Sequence, residues 1–500
     1  MDCLQELKLV KDTLREAQNY EHAVHVLNFD QETICPPAGV EEQGEVAAFL
    51  QNQAYRLLKT DAFIQAAEKL YAHREALSEF DRVLAERLHR DYKKTKNITP
   101  ELAHEFSLIY NRAFVNWSRA RKESDFALFA GSLSEVIATL KKDVSLREDA
   151  AGSVYDELLG DYERGLTSAQ LDEYFGTCKE RLIPLLQRIM KSKKKIRTDF
   201  LSRTVEDDAQ RKMSQYLLEV LHYDFSRGAF TTTEHPFTDW LGRNDIRVTT
   251  HYYPDMFYAS MYSIIHECGH ALFEQLQPQE NYDSFIQNEK TMAMHESVSR
   301  FYENRIGRSQ SFINLIYDRA RELFPQVLSD VSAQELYEAM NLVEPTLIRT
   351  EADEFTYTFH IIIRYELEKM MMNGSVSMEE LPRLWNEKYQ EYLGITPQND
   401  REGILQDVHW TFGMGYFPTY ALGNMYNAMY MKRLSQELDL DKEVAAGRFD
   451  VINGWMADNV FRYADRRSPK EWILGITGRE LTPDDFLDYL EEKYSALYEL

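Results

Sequence analysis

A chain of 500 residues with 44% hydrophobic and 12% aromatic content has ample material for buried cores, which excludes wholesale disorder. Its 82 acidic against 57 basic side chains give a formal charge of −25, which repels phosphate backbones and argues against nucleic-acid binding. The four cysteines, Cys3, Cys35, Cys178 and Cys268, form no CxxC pair, as expected of free thiols in a reducing compartment.

The start, Met1-Asp2-Cys3-Leu4-Gln5-Glu6, has no basic segment leading into an apolar one. It does not read as a signal peptide, and a cytoplasmic protein is expected. Helix signals then dominate. Thr99-Pro100-Glu101 places a cap residue before a proline at the first helical position. Thr167 with Gln170 has capping-box spacing. The basic run Lys191-Ser192-Lys193-Lys194-Lys195 reads as a solvated helix end, and the polar stretch 191–199 around it and the Gly/Thr-rich stretch 228–234 are the nearest things to a break. Neither resembles a flexible tether. Asp245-Ile246-Arg247-Val248-Thr249-Thr250 alternates and is β-branched, so it is the clearest strand. Ser332 with Glu335 repeats the capping-box spacing. The apolar run Ile361-Ile362-Ile363 meets Arg364, Glu366, Glu368 and Lys369 at once, so no bilayer span and no membrane partner is expected. Thr482-Pro483-Asp484-Asp485 opens a last helix with acids in its first turn. These signals predict one unit over 1–500: a large, mainly α body with a deep substrate groove and a small β-sheet near 230–255. A weak division separates an N-terminal helical region, 1–200, from a catalytic region, 201–500.

The chemistry concentrates in His266-Glu267-Cys268-Gly269-His270, inside a proline-free helical stretch from Met256 to Gln277. On a helix His266 and His270 lie about 40° apart, one turn along one face, as a tetrahedral metal requires of two imidazoles. Glu267 lies about 60° from His270 on the other side, where its carboxylate reaches a water at the metal without ligating it. Cys268 points away, about 200° from His266, and reads as core. Catalytic zinc takes a third protein ligand and keeps one position open. Phe273 and Leu276 stand where a metzincin has glycine and histidine, so that class is excluded. The third ligand must come from later in the chain. Glu296, in the helix-like Met292–Phe301, is the natural candidate, with Glu274, Glu280 and Glu303 open on spacing alone.

Taken in order, several segments resemble the M32 metallocarboxypeptidases, the thermostable carboxypeptidase type. They are His235-Pro236-Phe237, Asp245-Ile246-Arg247-Val248-Thr249, His266–His270, His295-Glu296-Ser297, Ile348-Arg349-Thr350-Glu351-Ala352-Asp353, and Gly403-Ile404-Leu405-Gln406-Asp407-Val408-His409-Trp410. Asp30-Gln31-Glu32-Thr33 and Tyr155-Asp156-Glu157-Leu158-Leu159 are similar as well, so the resemblance covers essentially the whole chain. One departure stands out: Val298 occupies the place of a family glutamine, so a hydrogen bond behind the expected ligand position Glu296 is expected to be missing.

The resemblance implies a helical fold with a long groove, zinc or another divalent ion such as Co2+, and a homodimer. It implies removal of single residues from peptide C-termini with broad specificity. Carried over position by position, His266, His270 and Glu296 would hold the metal and Glu267 would act as general base. Tyr416, Tyr420 and His409 are the candidates for stabilising the oxyanion. A terminal carboxylate suits the planar fork of arginine. Arg349 is the first choice for it, ahead of Arg247 and Arg401; an i,i+4 helix pair with Asp353 is the plain alternative. Asp245 and Asp407 are expected to orient neighbours, and His235 to line the cleft or cap a turn. Strand 245–250 could pair with an extended substrate. The competing activity is a zinc oligopeptidase that cuts internal bonds.

Overall fold

The computed structural model describes residues 3–286 and 291–500. Helices account for most of the chain, from Leu4–Thr33 to Asp484–Tyr498, and the cap signals sit where the sequence puts them. Thr99 accepts from the Leu102 N–H with Pro100 in the first turn, and the capping boxes at Thr167/Gln170 and Ser332/Glu335 are both complete. The basic run is a helix end: the helix Ser168–Lys191 stops there, and Lys194 pairs with Glu338 at 2.9 Å. Among the described residues no helix is long and apolar enough to cross a membrane. Ile361–Ile363 are instead fully buried in the helix Tyr357–Asn373, which also buries Arg364 and Glu368.

A small sheet has β1 (Phe230–Thr232), β2 (Thr238–Gly242) and β3 (Asp245–Thr250) in the order β1-β3-β2. β1 runs parallel to β3 and β2 antiparallel to it. Both edges of β3 are therefore occupied. This corrects the expectation that 245–250 pairs with substrate, since its backbone groups already bond to neighbours.

The largest core runs from Ala113 to Tyr498, while Cys3, Val10, Leu14 and Phe63 pack with Leu70, Leu84, Phe285 and Ile286 in a smaller one. At the centre of the large core, the helix Met292–Arg300 is wedged between the motif helix Phe257–Gln275 and the helix Pro418–Leu434. Two glycines permit this approach. A Cβ on Gly269 would stand 2.6 Å from the Ser299 Cα, and one on Gly423 would stand 3.0 Å from the Glu296 Cγ. The helix Met292–Arg300 then continues as a π-helical stretch, Phe301–Gly307. Such widened turns re-aim side chains, and here Glu303 faces back toward the motif helix.

Candidate active site

The motif helix spans Phe257–Gln275, slightly shorter than the pattern suggested, and buries Ile264, Ile265, Cys268 and Leu272 completely. That apolar side holds the helix in register and leaves His266 and His270 on the face opposite Cys268. Their rings lie 5.0 Å apart. Glu296 Oε2 stands 3.6 Å from His266 Nε2 and 3.7 Å from His270 Nε2. Ligand bonds of ~2 Å in a tetrahedral arrangement separate donor atoms by roughly 3.3–3.5 Å, so this set suits a divalent ion. Among the described residues it is the one His/Glu cluster whose ligand atoms converge, all within 4.8 Å.

The atoms behind the ligands support the same fit. His266 Nδ1 is 2.8 Å from Glu303 Oε2, which leaves Nε2 facing the cluster. His270 Nδ1 is 3.1 Å from His295 Nδ1, and His295 Nε2 is 2.7 Å from Glu274 Oε1. A consistent proton placement runs His270 Nδ1–H to His295, then His295 Nε2–H to Glu274, again freeing the ligand Nε2. Burial, with His266 and His295 alongside, drives His270 far down the scale and keeps it neutral, the form that ligates. At His266 burial also acts downward, but Glu296 and Glu303 outweigh it and raise the pKa, and the same negative field favours a cation. Glu296 Oε1 accepts from Arg300 Nε at 2.7 Å, so its other oxygen is the one presented to the histidines. Glu303 and Glu274 thus stand behind the imidazoles, and Glu280 is exposed on a separate short helix.

Glu267 is buried, and Thr238 Oγ1 on β2 donates to its Oε2 at 2.6 Å. Burial raises the carboxyl, against His266 and the Thr238 hydroxyl. Beyond Glu296 a second polar cluster follows. Arg300 lies over the Tyr357 ring at 4.4 Å, and the Tyr357 hydroxyl accepts from Arg349 Nη1 at 3.0 Å. Arg349 Nε and Nη2 both donate to Asp407 Oδ1, at 3.0 and 2.9 Å, while Arg364 Nε donates to Asp407 Oδ2 at 2.7 Å. Burial alone would raise the Asp407 carboxyl, but Arg364 and Arg349 hold it well below the usual range. His409 stands beside this cluster, against Phe417 and Tyr416. Burial brings its pKa down to about 4 in spite of Asp407, so it is neutral near pH 7. The Tyr416 and Tyr420 rings lie 5.2 Å apart, and the Arg349 guanidinium lies 5.1 Å from the Tyr420 centroid.

A model of the carboxypeptidase Taq (M32) metallopeptidase family matches residues 9–494. The chain belongs to this family. It is 38% identical over 489 residues to carboxypeptidase 1 of Bacillus subtilis, covering 97% of each chain. It is 36% identical over 483 residues to thermostable carboxypeptidase 1 of Thermus thermophilus, covering 94% of each. The solved M32 carboxypeptidase of Deinococcus radiodurans superposes with a TM-score of 0.95 at 30% identity, covering 99% of this chain and 100% of that one. The protein is therefore a metallocarboxypeptidase, mainly helical with a small sheet, and the divalent metal of the family has a matching His-His-Glu cluster here.

Within this M32 chain the structure brings together His266, His270, Glu296 and Glu267, and beside them Arg349, Asp407, His409, Tyr416 and Tyr420. The pairing of Arg349 with Asp353 does not form. Arg349 lies in a single 3-10 turn, Arg349–Glu351, and Asp353 accepts instead from the N–H groups of Glu344, Phe355 and Thr356. Arg247 is held in a two-bond pair by Asp245, at 2.7 and 2.8 Å, and stacks 5.0 Å from Phe29 on the N-terminal helix. That is the sheet face opposite Thr238. Arg401 is exposed, with its backbone N–H on Ser124 Oγ. His235 is exposed too, and its carbonyl accepts from Thr233 Oγ1 at 2.8 Å. Val298 is fully buried among apolar neighbours.

Sequence reasoning passed over Thr238, His295, Arg300, Tyr357, Arg364 and Glu368. Glu368 anchors the loop that carries His409 and Tyr416: its buried carboxylate accepts from Trp410 Nε1, Gly415 N–H and Tyr155 hydroxyl at 2.8–2.9 Å. The signals that could have found two of them are the i,i+4 spacing of Glu296 and Arg300 and, for Glu368, an acid placed just after the apolar run Ile361–Ile363.

Proposed function

We propose that this metallocarboxypeptidase holds zinc on His266, His270 and Glu296 and hydrolyses the C-terminal bond of peptides with Glu267 as general base. The observation that carries the reading is the convergence of three ligand atoms beside Glu267, with the Arg349 cluster joined to it through Arg300 and Tyr357. When bound there, a divalent ion supplies Lewis acidity, lowering the pKa of water toward neutrality and polarising a carbonyl. Glu267, aimed by Thr238, takes the proton from the attacking water and returns it to the leaving amine. Tyr416, Tyr420 and neutral His409 are the donors for the carbonyl oxygen as it gains charge. Arg349, with its charge oriented by Asp407, receives the terminal carboxylate. Arg247 and Asp245 bond each other on the sheet face away from Thr238, and Arg401 and His235 are exposed, so the terminal carboxylate is left to Arg349. The rest of the reading is a cytoplasmic homodimer of broad specificity.

Matched peptides test it. An N-acetylated peptide should be shortened from its C-terminus at a rate near that of the free peptide, and the C-terminally amidated one should be left intact. Efficient cleavage of the amidated peptide would contradict the assignment of a carboxylate receptor.

A further inference from the structure

The geometry points to Tyr357 as a donor to the substrate's terminal carboxylate, working beside Arg349; the proposal rests on the reading of Arg349 given above. Tyr357 opens the helix Tyr357–Asn373 and is 4% exposed. Its position is held from several sides. Arg300 covers the ring face at 4.4 Å, and the partly exposed Tyr420 meets it edge-on at 6.2 Å.

Arginine has no acceptor, so in the 3.0 Å contact between Arg349 Nη1 and the Tyr357 oxygen the guanidinium must donate. The phenol's own proton is left over, and among the described residues no acceptor is bonded to it. The same bookkeeping applies to Arg349. A guanidinium has five N–H groups. Nε and one of Nη2 go to Asp407 and one of Nη1 goes to Tyr357, which leaves one on each Nη. Two N–H groups and one O–H therefore remain in neighbouring positions, with no acceptor among them. Asp407 does not neutralise the site, because Arg364 shares its charge. A guanidinium that already donates to the phenol oxygen also polarises the O–H bond and strengthens it as a donor.

Such a patch fits an acceptor-only anion with two oxygens. A peptide carboxylate meets that description, whereas a terminal amide would set its own N–H groups against the patch. Tyr357 would then contribute to C-terminal selectivity without touching the scissile bond.

The test is a double-mutant cycle on the metal-loaded enzyme, with an N-acetylated free-acid tripeptide as substrate and metal content and Tm as controls. Tyr357→Phe should lower kcat/KM about ten- to a hundredfold, the range for losing a hydrogen bond to a charged group, with the change carried by KM. In an Arg349→Ala background the same substitution should still cost several-fold. No further loss in that background would overturn the proposal, because Tyr357 would then act only by holding Arg349. A fall confined to kcat would also overturn it and make Tyr357 an oxyanion donor. If Tyr357→Phe is silent while Arg349→Ala is impaired, Tyr357 is wrong and the Arg349 reading stands. If Arg349→Ala is silent and Tyr357→Phe is not, the Arg349 reading fails and the proposal, which rests on it, fails with it.

Discussion

Glu303 stands behind His266 and outside the His266–His270–Glu296 cluster, and replacing it with glutamine isolates that role. Its Oε2 meets His266 Nδ1 at 2.8 Å and Arg300 Nη1 at 3.2 Å, and its Oε1 lies 3.5 Å from Arg308 Nη2. The amide keeps the shape and one acceptor oxygen but removes the charge that makes His266 a stronger ligand. Loss of such a partner typically weakens metal affinity by 10–100-fold, about 1.4–2.8 kcal/mol. Removing one member of a buried ion pair can cost ~3–5 kcal/mol of stability. The cost here should fall below that range. Arg300 keeps Glu296 at 2.7 Å, and Arg308 keeps Asn304 and the Met340 carbonyl. The assay is Zn2+ titration of stripped protein against a competing chelator, with Glu296→Ala and Glu280→Gln alongside. Glu303→Gln should bind more weakly but still fill, Glu296→Ala should fail to fill, and exposed Glu280→Gln should match wild type. Wild-type affinity in Glu303→Gln would refute the argument. An empty site in Glu303→Gln would make Glu303 itself a ligand.

Two further substitutions probe packing and burial. Gly269→Ala drives a Cβ to 2.6 Å from the Ser299 backbone, so the helices carrying the ligands must part. A loss of ~1–3 kcal/mol by thermal melting is expected, with weakened metal affinity. Gly176→Ala is the control: it has open space in mid-helix and should be neutral or stabilising, and equal behaviour of the two variants would dismiss the close-approach argument. Glu163 is buried against Tyr426, and burial pushes its carboxyl up to about 7 in spite of that hydroxyl and the Ala293 N–H. Between the unfolded value and about 7 the folded state holds the extra proton, so wild-type stability falls as pH rises through this window and is level above it. Glu163→Gln should therefore gain on wild type by up to on the order of 3 kcal/mol from pH ~4.5 to 8. A pH-independent difference in melting would show that Glu163 does not titrate there.

Local features of the site were legible and long-range ones were not. His266, Glu267 and His270 lie on one helix, where spacing alone sets their relative directions. The strand at 245–250 was equally plain from its alternation, but its neighbours were not, since β1 is only three residues long and pairs parallel. Spacing could not tell whether Glu296 or Glu303 converges with Nε2 of the two histidines. Both are carboxylates on one run, and the register depends on the Gly269–Ser299 contact and the π-helical turn. Arg349 and Asp353 imitate a helix pair, yet Asp353 caps the turn that leads into the next helix. The actual partner of Arg349 is Asp407, 58 positions away, and Thr238 is 29 positions from Glu267. Distances of that kind follow from how helices stack, which no periodicity records.

The central claim is that Glu267 moves the proton at a metal held by other residues. The most direct measurement compares wild type and Glu267→Gln, each with metal content determined, on one unmodified peptide followed by mass spectrometry. Wild type should give a ladder shortening from the C-terminus. The variant should retain its metal and lose activity by ~10²-fold or more, because the amide keeps the shape but cannot accept a proton. Loss of metal from Glu267→Gln, or near wild-type cleavage with the metal in place, would contradict the account.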